Sequence, residues 1–351
     1  MEPTGSRPPR LSDLPRAAAR LRRRLRRGPS GPVDVVSPLS VGIGRGRWAA
    51  SLAAGRLRRL VLKRATRAGL CDPVLWVGAP SPEALLAVEG LAGTLVYDCI
   101  DDLASLRGEP ALTRAEDQLA RRAELVVATS ARLLERMKRL NSRCHLVPNG
   151  CELDHFSRPL SSEVPGELAR LPRPILGYVG EVAEWLDTDA LAGLARCHAG
   201  GSVVLVGPVR SDEIRRRLGL PNVHLLGARD YDSIPDYVGR FDICLIPFRI
   251  SSFTESVNPV KLYEYLAAGR PVVSTPLPEV ALHSDLVAVA EGGRLHEAVA
   301  AVLSRPDTER DRARRRRFAA ANTWDLRVER IASLLADAAP TPGTRAATPL
   351  R

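Results

Sequence analysis

Short apolar segments rich in Val, Leu and Ile alternate with amphipathic segments along most of this chain. In the first half, helical patterns around TRAEDQLARRA and ARLLERMKRLN separate the apolar segments. Short buried strands that alternate with helices are typical of a parallel sheet covered by helices on both faces. The predicted strands of this half are VDVVSP (33–38), PVLWVG (73–78), TLVYD (94–98), ELVVATS (124–130) and CHLVPN (144–149).

A stretch rich in Pro and Ser at 157–174 interrupts this rhythm, after which the alternation starts again. The segments ILGYVG, SVVLVG, NVHLLG, FDICLIPF, PVVST and LVAVA are the predicted strands of the second half. We therefore predict two doubly wound domains, with ligands at the carboxyl ends of the strands that face the cleft between them. The predicted division is a first domain with a basic N-terminal segment (1–160), a linker (161–174), a second domain (175–322), a C-terminal helix (323–339) and a disordered tail (340–351).

Composition indicates a cytoplasmic protein with a large core. The chain has 351 residues, 45% of them hydrophobic, and no apolar run approaches the roughly 20 residues that span a bilayer. Its N-terminus has no apolar core of a secretory signal. The six cysteines form no Cys-x-x-Cys pair, so we interpret them as reduced thiols.

The net charge of +11 is concentrated at one end. Residues 1–67 carry 17 Lys and Arg residues and only three acidic ones. The segment RLRRLVLKRATRAGL places Leu57, Leu60, Val61 and Ala65 on one helical face. This pattern favours a helix that packs over a domain core with a solvated basic face, and a helix on an anionic membrane surface is the alternative. No aromatic residues accompany the arginines, so nucleic acid is not an expected partner.

The segment SVNPVKLYEYLAAGRPVV, at 256–273, predicts a helix whose start favours an anion. Asn258 suits the N-cap and Pro259 the first helical position, and Gly269 suits the residue after the helix. Lys261 and Glu264 then share a face near free backbone N–H groups. Spacing alone favours a plain capped helix with a surface Lys–Glu pair over a ligand site.

Four motifs in order, between about Val74 and Ala338, resemble one known family. They are similar to segments of GT-B glycosyltransferases of family 4, the group 1 type. In chain order, the motifs are LVYDCIDDL, LVVATSARLLERMKRLNSRCHLVPNGCELDHF, ILGYVGEVAEWLD and SVNPVKLYEYLAAGRPVVST. The resemblance implies two Rossmann-like domains, the second holding a nucleotide diphosphate sugar and the first an acceptor. It also implies a hexosyltransferase that needs no metal for the leaving group and no other cofactor.

The resemblance assigns donor-binding roles residue by residue. Glu264 matches the glutamate that holds the ribose hydroxyls, and Lys261 would offset the charge of the diphosphate. Gly180 would let the backbone approach the donor. Ser256, Val257 and Asn258 would present backbone amides, whereas Asn149 and Gly150 fit turn formation better.

The chain departs from the family pattern at the donor side. Ser256 stands where the family has an earlier Glu, and Glu255 misses that position by one. The basic residues expected after the first strand of the second domain are absent from GEVAEWLD, and Arg249 or Arg210 is the candidate substitute.

In the first domain, Asp101 stands where many members carry a His, between Asp98 and Asp102. Crowded carboxylates raise at least one pKa, and one of the three could deprotonate an acceptor hydroxyl. Asp101 in that role would indicate inversion, whereas most of the family retain configuration. The alternative is that Asp98 or Asp102 caps the next helix.

The first domain is also expected to lack the family's opening strand and Gly-containing loop, because a basic segment precedes VDVVSP. The leading hypothesis is a cytoplasmic, peripherally membrane-associated enzyme of surface polysaccharide, glycolipid or glycosylated-metabolite biosynthesis. Its partners would be a nucleotide sugar and a saccharide, lipid-linked or metabolite acceptor. A degenerate non-catalytic partner protein and a nucleotide-sugar epimerase are the alternatives.

Overall fold

The structure, a computed structural model, describes residues 47–70 and 72–338. The basic N-terminal segment, the predicted strand VDVVSP, Cys71 and the tail from 340 lie outside the described residues. Within the described residues, no helix combines the length and apolar character needed to cross a membrane. Two separate parallel sheets organise the fold, as the alternating pattern predicts.

The first sheet has four described strands in the order β1-β2-β3-β4, all parallel. Each predicted strand from PVLWVG to CHLVPN is present. The strands are β1 (Val74–Val77), β2 (Thr94–Cys99), β3 (Leu125–Ala128) and β4 (Cys144–Leu146); the helices of this part are α1 (Arg47–Arg67), α2 (Pro82–Val88), α3 (Leu103–Arg107), α4 (Pro110–Arg122), α5 (Ala131–Lys138) and α6 (Leu153–Ser157).

The second sheet has six strands in the order β10-β9-β8-β5-β6-β7, again all parallel. The order reverses at β5, and such switch points open a crevice at the carboxyl ends of strands. The strands are β5 (Ile175–Val179), β6 (Ser202–Val206), β7 (Val223–Gly227), β8 (Ile243–Ile246), β9 (Val272–Ser274) and β10 (Ala288–Val289). The helices are α7 (Gly166–Ala169), α8 (Thr188–Cys197), α9 (Asp212–Arg217), α10 (Ile234–Val238), α11 (Val260–Ala267), α12 (Pro278–Ala281), α13 (Leu295–Leu303), α14 (Glu309–Ala320) and α15 (Trp324–Ala338).

The last helix, α15, returns to the first sheet. Its Leu334 packs with Val96, Leu125 and Val127, which alternate with the residues of the opposite face. The opposite face is covered by α2, α4 and α5 around Tyr97 and Met137. The last helix therefore ties the second half of the chain to the first sheet.

Helix α1 uses its apolar face inside the protein. It packs along α2, with Ala65 buried and Leu57 half-buried. Arg59 and Lys63 are exposed on the other side. Docking of this helix on a membrane through its apolar face is therefore disfavoured, because much of that face packs against α2.

Candidate functional site

Lys261 and Gly180 form the centre of the candidate site. Lys261 stands in the first turn of α11, and its Nζ lies 5.3 Å from the ring centroid of Tyr178 and 5.7 Å from that of Phe248. A Cβ built on Gly180 would lie 2.4 Å from Lys261 Cε, and φ there is 142°. Only glycine fits beneath this lysine. Two aromatic faces and the lack of a Cβ thus hold the ammonium at the carboxyl end of β5.

The start of α11 corrects part of the sequence prediction. Pro259, not Asn258, is the N-cap, and the side chain of Asn258 is used elsewhere. The amides of Ser256 and Val257 already donate to Phe253 O and Thr254 O, at 3.0 and 3.1 Å, within a 3₁₀ turn. They cannot serve a diphosphate without breaking that turn.

Two other backbone amides stand at the start of α11. The N–H groups of Val260 and Lys261, in the first turn of α11, have no backbone acceptor among the described residues. A helix start leaves such donors free in general, and the helix dipole reinforces them. The helix ends as predicted, with Gly269 in the left-handed region at φ 71°.

Glu264 lies one turn further along the same face. Burial raises the pKa of its carboxyl to about 7, with Glu152 adding to the rise and Lys261 opposing it. Tyr231 is close enough to Glu152 and Glu264 for both carboxylates to raise its pKa further beyond the effect of burial. The carboxylate of Glu264 and the exposed ring of Tyr231 therefore lie close to each other, on the side of α11 that carries Lys261.

Tyr231 is held rigidly. Its ring stacks on His155 with centroids 4.4 Å apart and an interplanar angle of 10°, and it remains 47% exposed. The sequence reasoning missed both Tyr231 and Glu152. The available signal was the aromatic residue Tyr231 in GARDYDS, the loop that follows β7.

The three aspartates at the end of β2 have different surroundings. Asp98 accepts a hydrogen bond from Trp76 Nε1 at 3.1 Å. Asp102 caps α3 by accepting from Ser105 N and Ser105 Oγ, and it lies 3.8 Å from Arg136 Nη2. The capping alternative thus describes the geometry of Asp102.

Asp101 is the aspartate that faces the second domain. Burial raises the pKa of its carboxyl, Lys261 lowers it, and Asp102 raises it again. The same pair acts on Lys261, whose pKa is lowered by burial while Glu264 and Asp101 hold it up. Lys261 is therefore the cation between carboxylates of both domains.

A buried hydrogen-bond network fixes the two domains next to this site. Asn149 N donates to Asn258 Oδ1 at 3.1 Å, and Asn149 Nδ2 donates to Asn258 O at 2.6 Å. Asn258 Nδ2 donates in turn to Glu279, whose other oxygen accepts from Ala131 N at the start of α5. Asn149 thus makes interdomain bonds in an irregular segment and not the predicted turn, and Glu279 is a third residue that the sequence reasoning missed.

The two candidate substitute arginines lie differently from Lys261. Arg210 forms an ion pair with Glu181 beside Gly180. Arg249 is exposed and lines a separate cavity of about 430 Å³ with Asp187, Arg217 and His296. Among the described residues, no group of three or more His, Cys, Asp or Glu side chains is arranged to hold a metal ion.

Residues 173–305 match the family model of the glycosyl transferases group 1. This segment makes up most of the second domain and is what the chain shares with that family. The chain is also 27% identical, over 259 residues, to TuaH of Bacillus subtilis (strain 168), which is named as a teichuronic acid biosynthesis glycosyltransferase. That alignment covers 68% of this chain and 65% of TuaH, slightly less than two thirds of the relative.

Solved structures show the same fold over both domains. HepE of Anabaena, in complex with UDP-glucose, matches with a TM-score of 0.65 at 18% identity, over 80% of this chain and 82% of that one. Sucrose-phosphate synthase from Thermosynechococcus elongatus matches with a TM-score of 0.65 at 16% identity, over 84% and 80%. The GT-B arrangement of two Rossmann-like domains, expected from the resemblance, is confirmed.

Proposed function

We propose that this protein is a hexosyltransferase that transfers a sugar from a nucleoside diphosphate sugar to an acceptor hydroxyl. One observation carries the proposal. Lys261 and Glu264 share one face of α11, beside Gly180 at the residue after β5, and Lys261 interacts with Asp101 of the other domain.

The diphosphate would lie over Gly180. The Lys261 ammonium would neutralise part of its charge, and the free N–H groups of Val260 and Lys261 would donate to its oxygens. This position lies at the carboxyl end of β5, where the strand order of the sheet reverses. HepE has been solved with UDP and with UDP-glucose, which makes UDP-glucose the first donor to test.

The nucleoside would extend along α11 towards Glu264 and Tyr231. An ionised Glu264 has two oxygens that can accept from vicinal ribose hydroxyls. The exposed ring of Tyr231, stacked on His155 from behind, offers a surface on which a base can lie. The donor would thus be held by its diphosphate, its ribose and its base.

Asp101 is the proposed general base. Asp98 and Asp102 are engaged by Trp76 and Ser105, whereas Asp101 faces Lys261. Its carboxylate would take the proton of the acceptor hydroxyl as that oxygen attacks the anomeric carbon. The bond from the anomeric carbon to the diphosphate then breaks, and the nucleoside diphosphate leaves with the electron pair. A direct displacement of this kind inverts the anomeric configuration.

Lys261 would serve the leaving group without a bound metal. Its charge and the α11 amides would lie beside the departing diphosphate, where they would stabilise the negative charge that grows there. We therefore expect turnover to persist after treatment with EDTA.

The acceptor would be a sugar hydroxyl of a growing surface polysaccharide, on a cytoplasmic face. The likeness to TuaH supports this choice of pathway class. The exposed arginines and lysine of α1, including Arg59 and Lys63, would favour an anionic membrane surface electrostatically, without insertion of the helix.

A donor screen with product analysis by NMR tests the proposal. The purified protein is incubated with UDP-, GDP- and dTDP-sugars, with and without saccharide acceptors. We expect transfer, or slow hydrolysis, that Glu264→Ala reduces by at least 100-fold. Glu163→Ala, at an exposed glutamate outside the cleft, is the matched control and should keep full turnover.

Two results would overturn the proposal. If no nucleotide diphosphate binds in calorimetry, the protein is a non-catalytic partner protein. If donor alone is converted to an epimeric nucleotide sugar, the activity is that of an epimerase.

A further inference from the structure

A second cavity, outside the proposed donor site, is lined by four arginines. It has a volume of about 180 Å³ and lies between the end of α6, the residues after α11 and the helix α14. Phe156 and Leu160 supply its apolar part. The guanidinium groups around it belong to Arg158, Arg270, Arg312 and Arg316.

The carboxylates near this cavity are too few for its arginines. Asp236 is shared by Arg158 and Arg240. Asp307 is shared by Arg312 and Arg315. Glu309 lies 3.5 Å from Arg312 and 3.4 Å from Arg316. Each carboxylate thus serves two guanidinium groups, which leaves a net positive charge around the cavity.

Arg270 is the cation without a direct partner. Its Nε is buried and has no hydrogen-bond partner in the described part of the chain. Burial lowers its pKa and Arg312 lowers it further, while Asp307 and Asp242 act in the opposite direction. A buried donor left unpaired destabilises the fold, and more so when it is charged.

We propose that this cavity binds a phosphate group. A phosphate offers several acceptor oxygens with up to two negative charges, and the planar guanidinium fork matches it in pairs of hydrogen bonds. It would give Arg270 the acceptor that the chain does not supply. The apolar part formed by Phe156 and Leu160 would fit the carbon side of a phosphate ester.

The cavity is separate from the proposed donor site. Lys261 stands at the start of α11, whereas Arg270 follows its end; at 1.5 Å per residue the axis from Lys261 to the C-cap Ala268 is about 10 Å long. Ser157 and Arg158 belong to the segment that leads from the first domain into the second. A phosphate held here would therefore link that segment to the helix that carries Lys261 and Glu264.

Calorimetric titration with inorganic phosphate and with pyrophosphate, at constant ionic strength in chloride, tests the proposal. We expect Arg270→Gln and Arg316→Gln each to weaken binding at least tenfold. Arg314→Gln is the matched control, because Arg314 lies on the same helix and pairs with Asp285 outside the cavity. It should bind as the wild type does.

Thermal unfolding separates loss of the site from loss of the fold. Without phosphate, Arg270→Gln should unfold at or above the wild-type temperature, because it removes a buried unpaired charge. With phosphate, the wild type should gain stability by mass action and Arg270→Gln should not. Pelleting of the protein with phosphatidylglycerol vesicles then identifies the source of the phosphate group. If Arg270→Gln pellets less than Arg314→Gln, the phosphate belongs to a lipid headgroup. If the two variants pellet equally but still differ in calorimetry, the ligand is a free phosphate. Equal phosphate binding and equal pelleting by Arg270→Gln and Arg314→Gln would overturn the proposal.

Discussion

Replacing Glu264 by Gln should change both the stability and the nucleotide affinity of the protein in a pH-dependent way. The pKa of this carboxyl is raised from 4.5 to about 7, chiefly by burial. Between these two pH values, Glu264 therefore keeps a proton in the folded protein that it has lost in the unfolded chain. Ionised Glu264 lowers the stability of the fold, and its cost grows as the pH rises through this window.

The size of the effect follows from the shift in pKa. A rise from 4.5 to about 7 corresponds to about 3 kcal/mol of lost stability once both states are ionised. Between about pH 5.5 and about pH 8.5 the loss grows by about 2 kcal/mol. Glutamine imitates the protonated carboxyl, so the Glu264→Gln variant should avoid this loss, and its advantage over the wild type should grow by the same amount.

Affinity for UDP should respond in the opposite direction. The ionised carboxylate accepts from the ribose hydroxyls, so wild-type affinity should rise with pH through about 7. The Glu264→Gln variant should bind at least tenfold more weakly at about pH 8.5 and show little pH dependence. Urea unfolding and calorimetry at four pH values measure both effects. A variant that is no more stable at high pH, or that binds UDP as tightly as the wild type, would refute the reasoning.

Three further predictions follow from the same geometry. Asp101→Asn should lower kcat at least 100-fold with little change in donor affinity. Asp102→Ala should mainly cost about 1 kcal/mol of stability, because it removes a helix cap. Steady-state kinetics and urea unfolding distinguish the two variants, and full turnover by Asp101→Asn would exclude Asp101 as the general base. Gly180→Ala should weaken UDP binding at least tenfold, since its Cβ would meet Lys261 Cε at 2.4 Å, while Gly193→Ala, with no atom within 4 Å of the new Cβ, should not; equal calorimetric affinities would contradict this. Asn258→Ala should cost about 1 to 3 kcal/mol, because it removes the amide between Asn149 and Glu279; unchanged urea unfolding and unchanged hydrogen exchange at the Asn149 amide would argue against the network.

The strands could be predicted from the sequence because each is a short apolar run between breaking residues. FDICLIPF and PVVST became β8 and β9, with every residue of both strands buried. The position of α15 could not be predicted in this way. Its amphipathic pattern shows that one face is buried, but not that this face packs on Val96 and Leu125 of the first sheet.

The sequence predicted correctly those positions in the site that are fixed by the geometry of a single helix. Lys261 and Glu264 share a face because they are three residues apart. The N-cap prediction was wrong because Asn258 finds partners 109 and 21 residues away, in Asn149 and Glu279. Local capping rules take no account of such distant partners, and for the same reason the choice among Asp98, Asp101 and Asp102 needed the position of Lys261.

A crystal structure of the protein soaked with UDP tests the central claim most directly. The account predicts the β-phosphate within hydrogen-bond distance of Lys261 Nζ and the Val260 and Lys261 amides, with the ribose hydroxyls on Glu264. UDP bound at another place on the second domain, with Lys261 still free over the rings of Tyr178 and Phe248, would contradict it.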